Sequence, residues 1–143
     1  MDPIEWQGRF DRAVAYWNQR RFYEAHEDWE EMWHEAEGAQ RLWLQGLIQY
    51  AAAFVHFERG FHASGYWRLM RQAEEKCTPY EGDTCHMDWP GLHEDLAPWR
   101  QHGLAVKEGA DLRSAAPENA PPRIRYEPGF QPEPLPLDPP DDP

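Results

Sequence analysis

Leu42-Trp-Leu-Gln-Gly-Leu-Ile-Gln-Tyr-Ala-Ala-Ala-Phe-Val-His-Phe-Glu-Arg-Gly60 decides the fold. At 100° per residue, Trp43, Leu44, Leu47, Ile48, Tyr50, Ala51, Phe54, Val55 and Phe57 cover nearly the whole circumference of a helix. A helix that is apolar all round sits at the centre of a domain. One narrow stripe departs from this: Gln45, Gln49 and His56 fall within a sector of about 40°. Buried polar groups need partners, or each costs about 1–3 kcal/mol. Something polar is therefore expected to face the stripe.

Working outward, the segment before it reads as a helix from about Phe22 to Ala36, with Gly38 placed for a left-handed C-terminal cap. Its apolar arc is Phe22, Ala25, Trp29, Met32 and Trp33, and His26 and Glu30 stand at the edge of that arc. The short connection to the central helix dictates an antiparallel hairpin. His26 and Glu30 are thus expected to meet Gln45, Gln49 and His56 across it. An earlier helix starts at Asp2-Pro3-Ile4-Glu5, with Asp as cap and Pro at the first helical position. A fourth covers about Ala63 to Lys76. Beyond Cys77, Leu92, Leu96 and Trp99 mark a short helix that Pro98 is expected to disturb, and Leu104 to Arg113 adds a turn or two. No run shows the alternation of a strand. The expected class is all-α, a compact bundle of four to five helices around a buried third helix.

The chain has 143 residues, 14 Lys+Arg against 26 Asp+Glu, and a formal net charge of -12. Ten of its fourteen prolines lie from Ser114 onward. The expected division is a single helical domain over residues 1–113 and a proline-rich acidic tail over 114–143, extended or disordered, with solvation as the default for such composition. The tail could instead wrap a partner or second subunit through Arg123 to Tyr126 and Phe130. The charge opposes a phosphate-tracking role, so no nucleic-acid partner is expected. No stretch is apolar enough to span a bilayer and no secretory leader opens the sequence, which points to a cytoplasmic protein without a membrane partner. Two cysteines, Cys77 and Cys85, exclude a disulfide framework.

Phe22 to Trp33 (FYEAHEDWEEMW), preceded by Trp17-Asn18 and followed by the Leu42 to Gly60 helix, resembles the DUF309 family of small helical proteins. The resemblance covers roughly Phe10 to Met70 in a core of about residues 10–76. A looser P-x-x-x-G-x-D element is approached by Pro79, Gly82 and Asp83, one residue short in spacing. The resemblance implies an all-α fold and no established biochemical function. The family residues that carry over are His26, Glu27, Trp29, Glu30, Gln45, Gln49 and His56.

Three readings of these residues stand side by side, and enzyme status is open among them. In the first, the polar cluster is a satisfied hydrogen-bond network locking the hairpin, or it orients a small-molecule ligand of unknown identity in a pocket lined by Trp29 and Trp33. In the second, His26, Glu30 and His56 ligate one divalent transition metal, with an open position for water as in a metal-dependent hydrolase. Glu27 or Glu30 would then be the general base, His26 a proton carrier, and Gln45 and Gln49 orienting donors. The third is an interaction module or homo-oligomer acting through the tail and through the small residues Ala63, Ser64 and Gly65. Two weaker patterns are Glu31-x-x-His34, half of a di-iron signature, and Cys77/Cys85/His86/His93, the right atoms for zinc at an unfamiliar spacing. His62 and His102 read as surface or helix-end residues.

Overall fold

The structure is a computed structural model and describes residues 1–60, 63–78 and 85–139. Five helices follow one another: α1 (Pro3–Asn18), α2 (Phe22–Glu35), α3 (Gly38–Arg59), α4 (Ala63–Cys77) and α5 (Trp89–Lys107). Among the described residues there is no strand, only an isolated bridge between Met87 and Tyr126. The Pro79, Gly82 and Asp83 element and His62 lie outside the described residues.

The helix limits follow from local chemistry. Asp2 caps α1, its carboxylate accepting from the Glu5 amide at 2.8 Å. Gly60 closes α3 in the left-handed conformation, φ +74°. Gly38 is also left-handed, φ +59°, but it opens α3 rather than capping α2. The extended Ala36 ends α2, and Glu37 and Gly38 complete the reversal. Pro98 does not divide α5, contrary to the expectation of a short, disturbed helix. Its ring removes one backbone donor, yet Pro98 and Glu94 both face solvent, where water can take the freed carbonyl. Meanwhile Leu92, Leu96, Trp99 and Val106 bury one continuous face across it.

The third helix is central. It packs between α2 and α4, while α1 packs on α2 and α5 on α4. Aromatic rings fill the interior. Trp17 meets Phe22, Trp29 and Phe54 edge-on or tilted at 5.0, 5.9 and 5.4 Å. Trp99 of α5 reaches α3 through Phe54 and Phe57, at 5.2 and 5.0 Å. Phe10 and Trp89 approach Trp43 from opposite ends of the chain. Each large ring buries about 150–250 Å², so a chain of modest hydrophobic content acquires a dense core.

Residues 114–139 contain no helix and run along α1. The Trp17 indole donates to the Pro122 carbonyl at 2.6 Å. The Asn18 amide exchanges two bonds with the Ile124 backbone, at 2.7 and 3.0 Å. Farther on, the Leu135 amide donates to the Gly8 carbonyl, and the Asp138 amide to the Tyr16 hydroxyl. Ile124 is fully buried beneath this stretch.

Candidate functional site

On α2, His26, Glu27 and Glu30 occupy positions i, i+1 and i+4, so all three project from one side of two successive turns. One ligand atom from each lies within 4.8 Å of the other two. His26 Nδ1 stands 3.6 Å from Glu30 Oε2 and makes no hydrogen bond among the described residues, although the atom itself is buried. Glu27 is exposed and His26 and Glu30 are half-buried, so the cluster opens to solvent. The Tyr23 ring stacks on His26 with ring centroids 6.2 Å apart. Its hydroxyl donates to Glu27, and that bond holds the phenol above its ordinary range; the nearby Arg59 acts in the opposite direction.

The remaining expected partners are elsewhere. Gln49 faces α4, not α2: its amide nitrogen donates to Gln72 at 3.1 Å, and its oxygen accepts from Lys76 at 2.8 Å. His56 also faces α4, where its ring lies against Gly65, and it does not join the His26 group. Gln45 is half-buried one turn before Gln49. Gln49 and His56 of the polar stripe therefore serve the α3–α4 contact. A central helix has two neighbours, and the wheel alone does not say which of them meets the stripe. Gly65 is used within the chain by the same contact.

Trp29 is a core residue, fully buried against Phe10 and Trp17. Trp33 is half-buried at the end of α2, where the Arg41 guanidinium lies 3.7 Å above its ring. The same guanidinium reaches the Trp33 and Ala36 carbonyls at 3.3 and 3.4 Å. That pairing satisfies the open end of α2. Glu31 is held by Arg9 at 2.9 Å. The Cys77/Cys85/His86/His93 set forms no metal-binding group among the described residues. Cys77 faces the Trp43 carbonyl at 3.8 Å, while His86 stacks on Phe130 at 4.1 Å. His102 is buried, not at the surface.

Residues 10–69 match the family model described as a domain of unknown function, DUF309. This segment belongs to the DUF309 family. It contains α1 from Phe10, all of α2 and α3, and the first half of α4, so the His26, Glu27 and Glu30 cluster lies within the DUF309 segment. No curated protein and no solved structure matches the chain.

Two charged residues in the DUF309 segment escaped the sequence reading. Asp28 and Asp11 are 5 % and 3 % exposed. Asp28 accepts from both Arg12 and Arg9 of α1. Asp11 Oδ1 accepts from Gln7 at 2.9 Å and from the Tyr126 hydroxyl at 2.6 Å. A signal was present for Asp28: it sits between Ala25 and Met32 on the apolar arc, at the spacing of buried positions.

Proposed function

We propose that this protein binds one divalent transition-metal ion on the exposed face of α2, through His26, Glu27 and Glu30. The observation that carries the reading is the mutual approach of the three ligand atoms within 4.8 Å, with the His26 Nδ1 atom directed at Glu30 and otherwise unbonded. An imidazole with two carboxylates is a donor set suited to zinc and its neighbours. Ligands of a tetrahedral ion lie about 3.3 Å apart. Small rotamer changes of the two glutamates therefore close the site without moving backbone. Three protein ligands leave one position for water, the arrangement of an open rather than a structural site. His56 is not part of this set.

The same reading takes the chain as a cytoplasmic protein whose helical domain spans residues 1–113 and is followed by a proline-rich tail. Its two cysteines are free thiols. Its charge of -12 favours cations over nucleic acid as partners. No described helix is long and apolar enough to cross a membrane.

The test is elemental analysis of untagged protein purified without chelator, beside a His26→Ala/Glu30→Ala variant. Near-stoichiometric metal in the parent and none in the variant, with both equally folded by circular dichroism, is the expected result. Parent protein that stays metal-free after incubation with zinc and desalting would overturn the proposal.

A further inference from the structure

The stretch after Ser114 does more than cover α1: it walls a cleft of about 320 Å³ against that helix. Val14 and Asp11 come from α1, and Arg123, Tyr126, Pro132 and Pro134 from the tail. Asp11 is 3 % exposed, and among the described residues no cation pairs with it. Its Oδ1 takes both protein donors, Gln7 and Tyr126. The 2.6 Å bond from Tyr126 has the length of a hydroxyl donating to an ionised carboxylate. Burial and the neighbouring Asp11 charge hold the Tyr126 phenol far above its ordinary range, so it stays a donor. Oδ2 accepts no bond from any described residue.

A largely buried carboxylate with no counter-ion among the described residues is costly, and a cation entering the cleft offsets that cost. The cleft also holds a charge of the opposite sign. Arg123 is exposed and forms no ion pair or hydrogen bond among the described residues. The same cleft is lined by the apolar Val14, Ala15 and two prolines, with Asn18 and Gln19 beside them. Opposite charges lining one partly aliphatic cleft complement a small aliphatic zwitterion.

We propose that the cleft between α1 and the tail binds a small aliphatic amino acid, its ammonium on Asp11 and its carboxylate on Arg123. The ammonium supplies the donors that Oδ2 lacks, and the prolines and Val14 pack the methylene chain. The site is separate from the cluster on α2, and neither reading depends on the other.

The experiment is calorimetric titration of the full chain with glycine, β-alanine, γ-aminobutyrate and ε-aminocaproate, which step the charges apart, and with n-butylamine as the ammonium alone. At least one zwitterion is expected to bind saturably. That binding should be lost in Asp11→Asn and weakened about tenfold in Arg123→Ala, the loss of one charge-assisted contact. Arg123 is exposed, so its variant should fold as the parent does. The Asp11→Asn variant retains an acceptor for Tyr126, and its melting temperature checks its fold. Absence of saturable binding by every zwitterion overturns the proposal, as does unchanged binding in either variant. So does n-butylamine binding as tightly as the best zwitterion.

Discussion

The Arg12 guanidinium grips the Asp28 carboxylate through two parallel bonds, Nε to Oδ2 at 2.7 Å and Nη2 to Oδ1 at 2.6 Å. This fork ties α1 to α2 below the level of solvent, with Arg9 adding a longer contact at 3.4 Å. The planar, two-pronged geometry is specific to arginine.

Arg12→Ala should therefore destabilise the protein by about 3 kcal/mol, because it leaves a buried carboxylate with only one distant cation. Arg12→Lys should recover little of this, since an ammonium cannot make both bonds. Urea denaturation of the three proteins measures the difference. Equal midpoints for Arg12→Lys and the parent would show that charge alone, not the fork, holds the helices.

At Gly46, α3 packs tightly against α4. A methyl group there would collide with the Cys77 sulfur and press on the Ala73 carbonyl, which is backbone and cannot turn away. Alanine raises helix propensity by about 1 kcal/mol, whereas overpacking costs about 1–3 kcal/mol. The second effect should win, and Gly46→Ala should lower the melting temperature. Adding Cys77→Ala should restore part of the loss by removing the sulfur.

The two thiols should be silent to alkylation in the native state. Burial pushes both Cys77 and Cys85 up to about 12, so the reactive thiolate is scarce at neutral pH. Iodoacetamide followed by intact mass should show no adduct until denaturant is added. Rapid native labelling at either position would contradict the burial described above.

His102 gives the core a pH dependence. Its Nδ1 accepts from the Tyr66 hydroxyl at 2.8 Å and its Nε2 donates to the Leu112 carbonyl at 2.9 Å. The bond accepted at Nδ1 needs the neutral ring, whereas the Nε2 bond survives protonation. Burial lowers its titration below the unfolded value of 6.5, against a smaller opposing effect of the Leu112 bond. The unfolded chain thus takes up the proton first. Stability should hold above about pH 6.5 and fall as the pH drops from there toward the depressed folded value. In His102→Gln this part of the slope in midpoint against pH should flatten.

Truncation after Arg113 should destabilise the fold. It exposes the side of α1 that Ile124 covers and removes the acceptors of Trp17 and Asn18. Burial of one isoleucine contributes about 1.5–3 kcal/mol and each hydrogen bond about 1 kcal/mol. A fall in melting temperature of more than about 5 °C is expected, with no change in mass by light scattering. An unchanged melting temperature would mean that the tail contributes nothing to the folded core.

The sequence by itself determined the helices and their centre. Apolar residues at every angle of Leu42 to Gly60 require burial on all sides, and Asp2 and Gly60 stop their helices by local bonding. Such effects act between near neighbours and are legible in one dimension. His26, Glu27 and Glu30 share a face for the same reason, since helical spacing alone puts them together.

What the tertiary structure decided was which neighbour each face meets. Gln49 and His56 could face either flanking helix, and packing turned them to α4. Asp11 looks like an ordinary surface carboxylate until Tyr126 arrives from 115 residues away, and the spacing that buries Asp28 does not say that Arg12, 16 residues away, will pair with it. Pro98 was tolerated because the apolar face on both sides of it is buried, a gain in packing larger than one lost backbone bond on the solvent side. The course of the tail was equally invisible in the sequence. Its few anchors, Pro122, Ile124 and Tyr126, have partners only after α1 has presented Trp17, Asn18 and Asp11 along a single face.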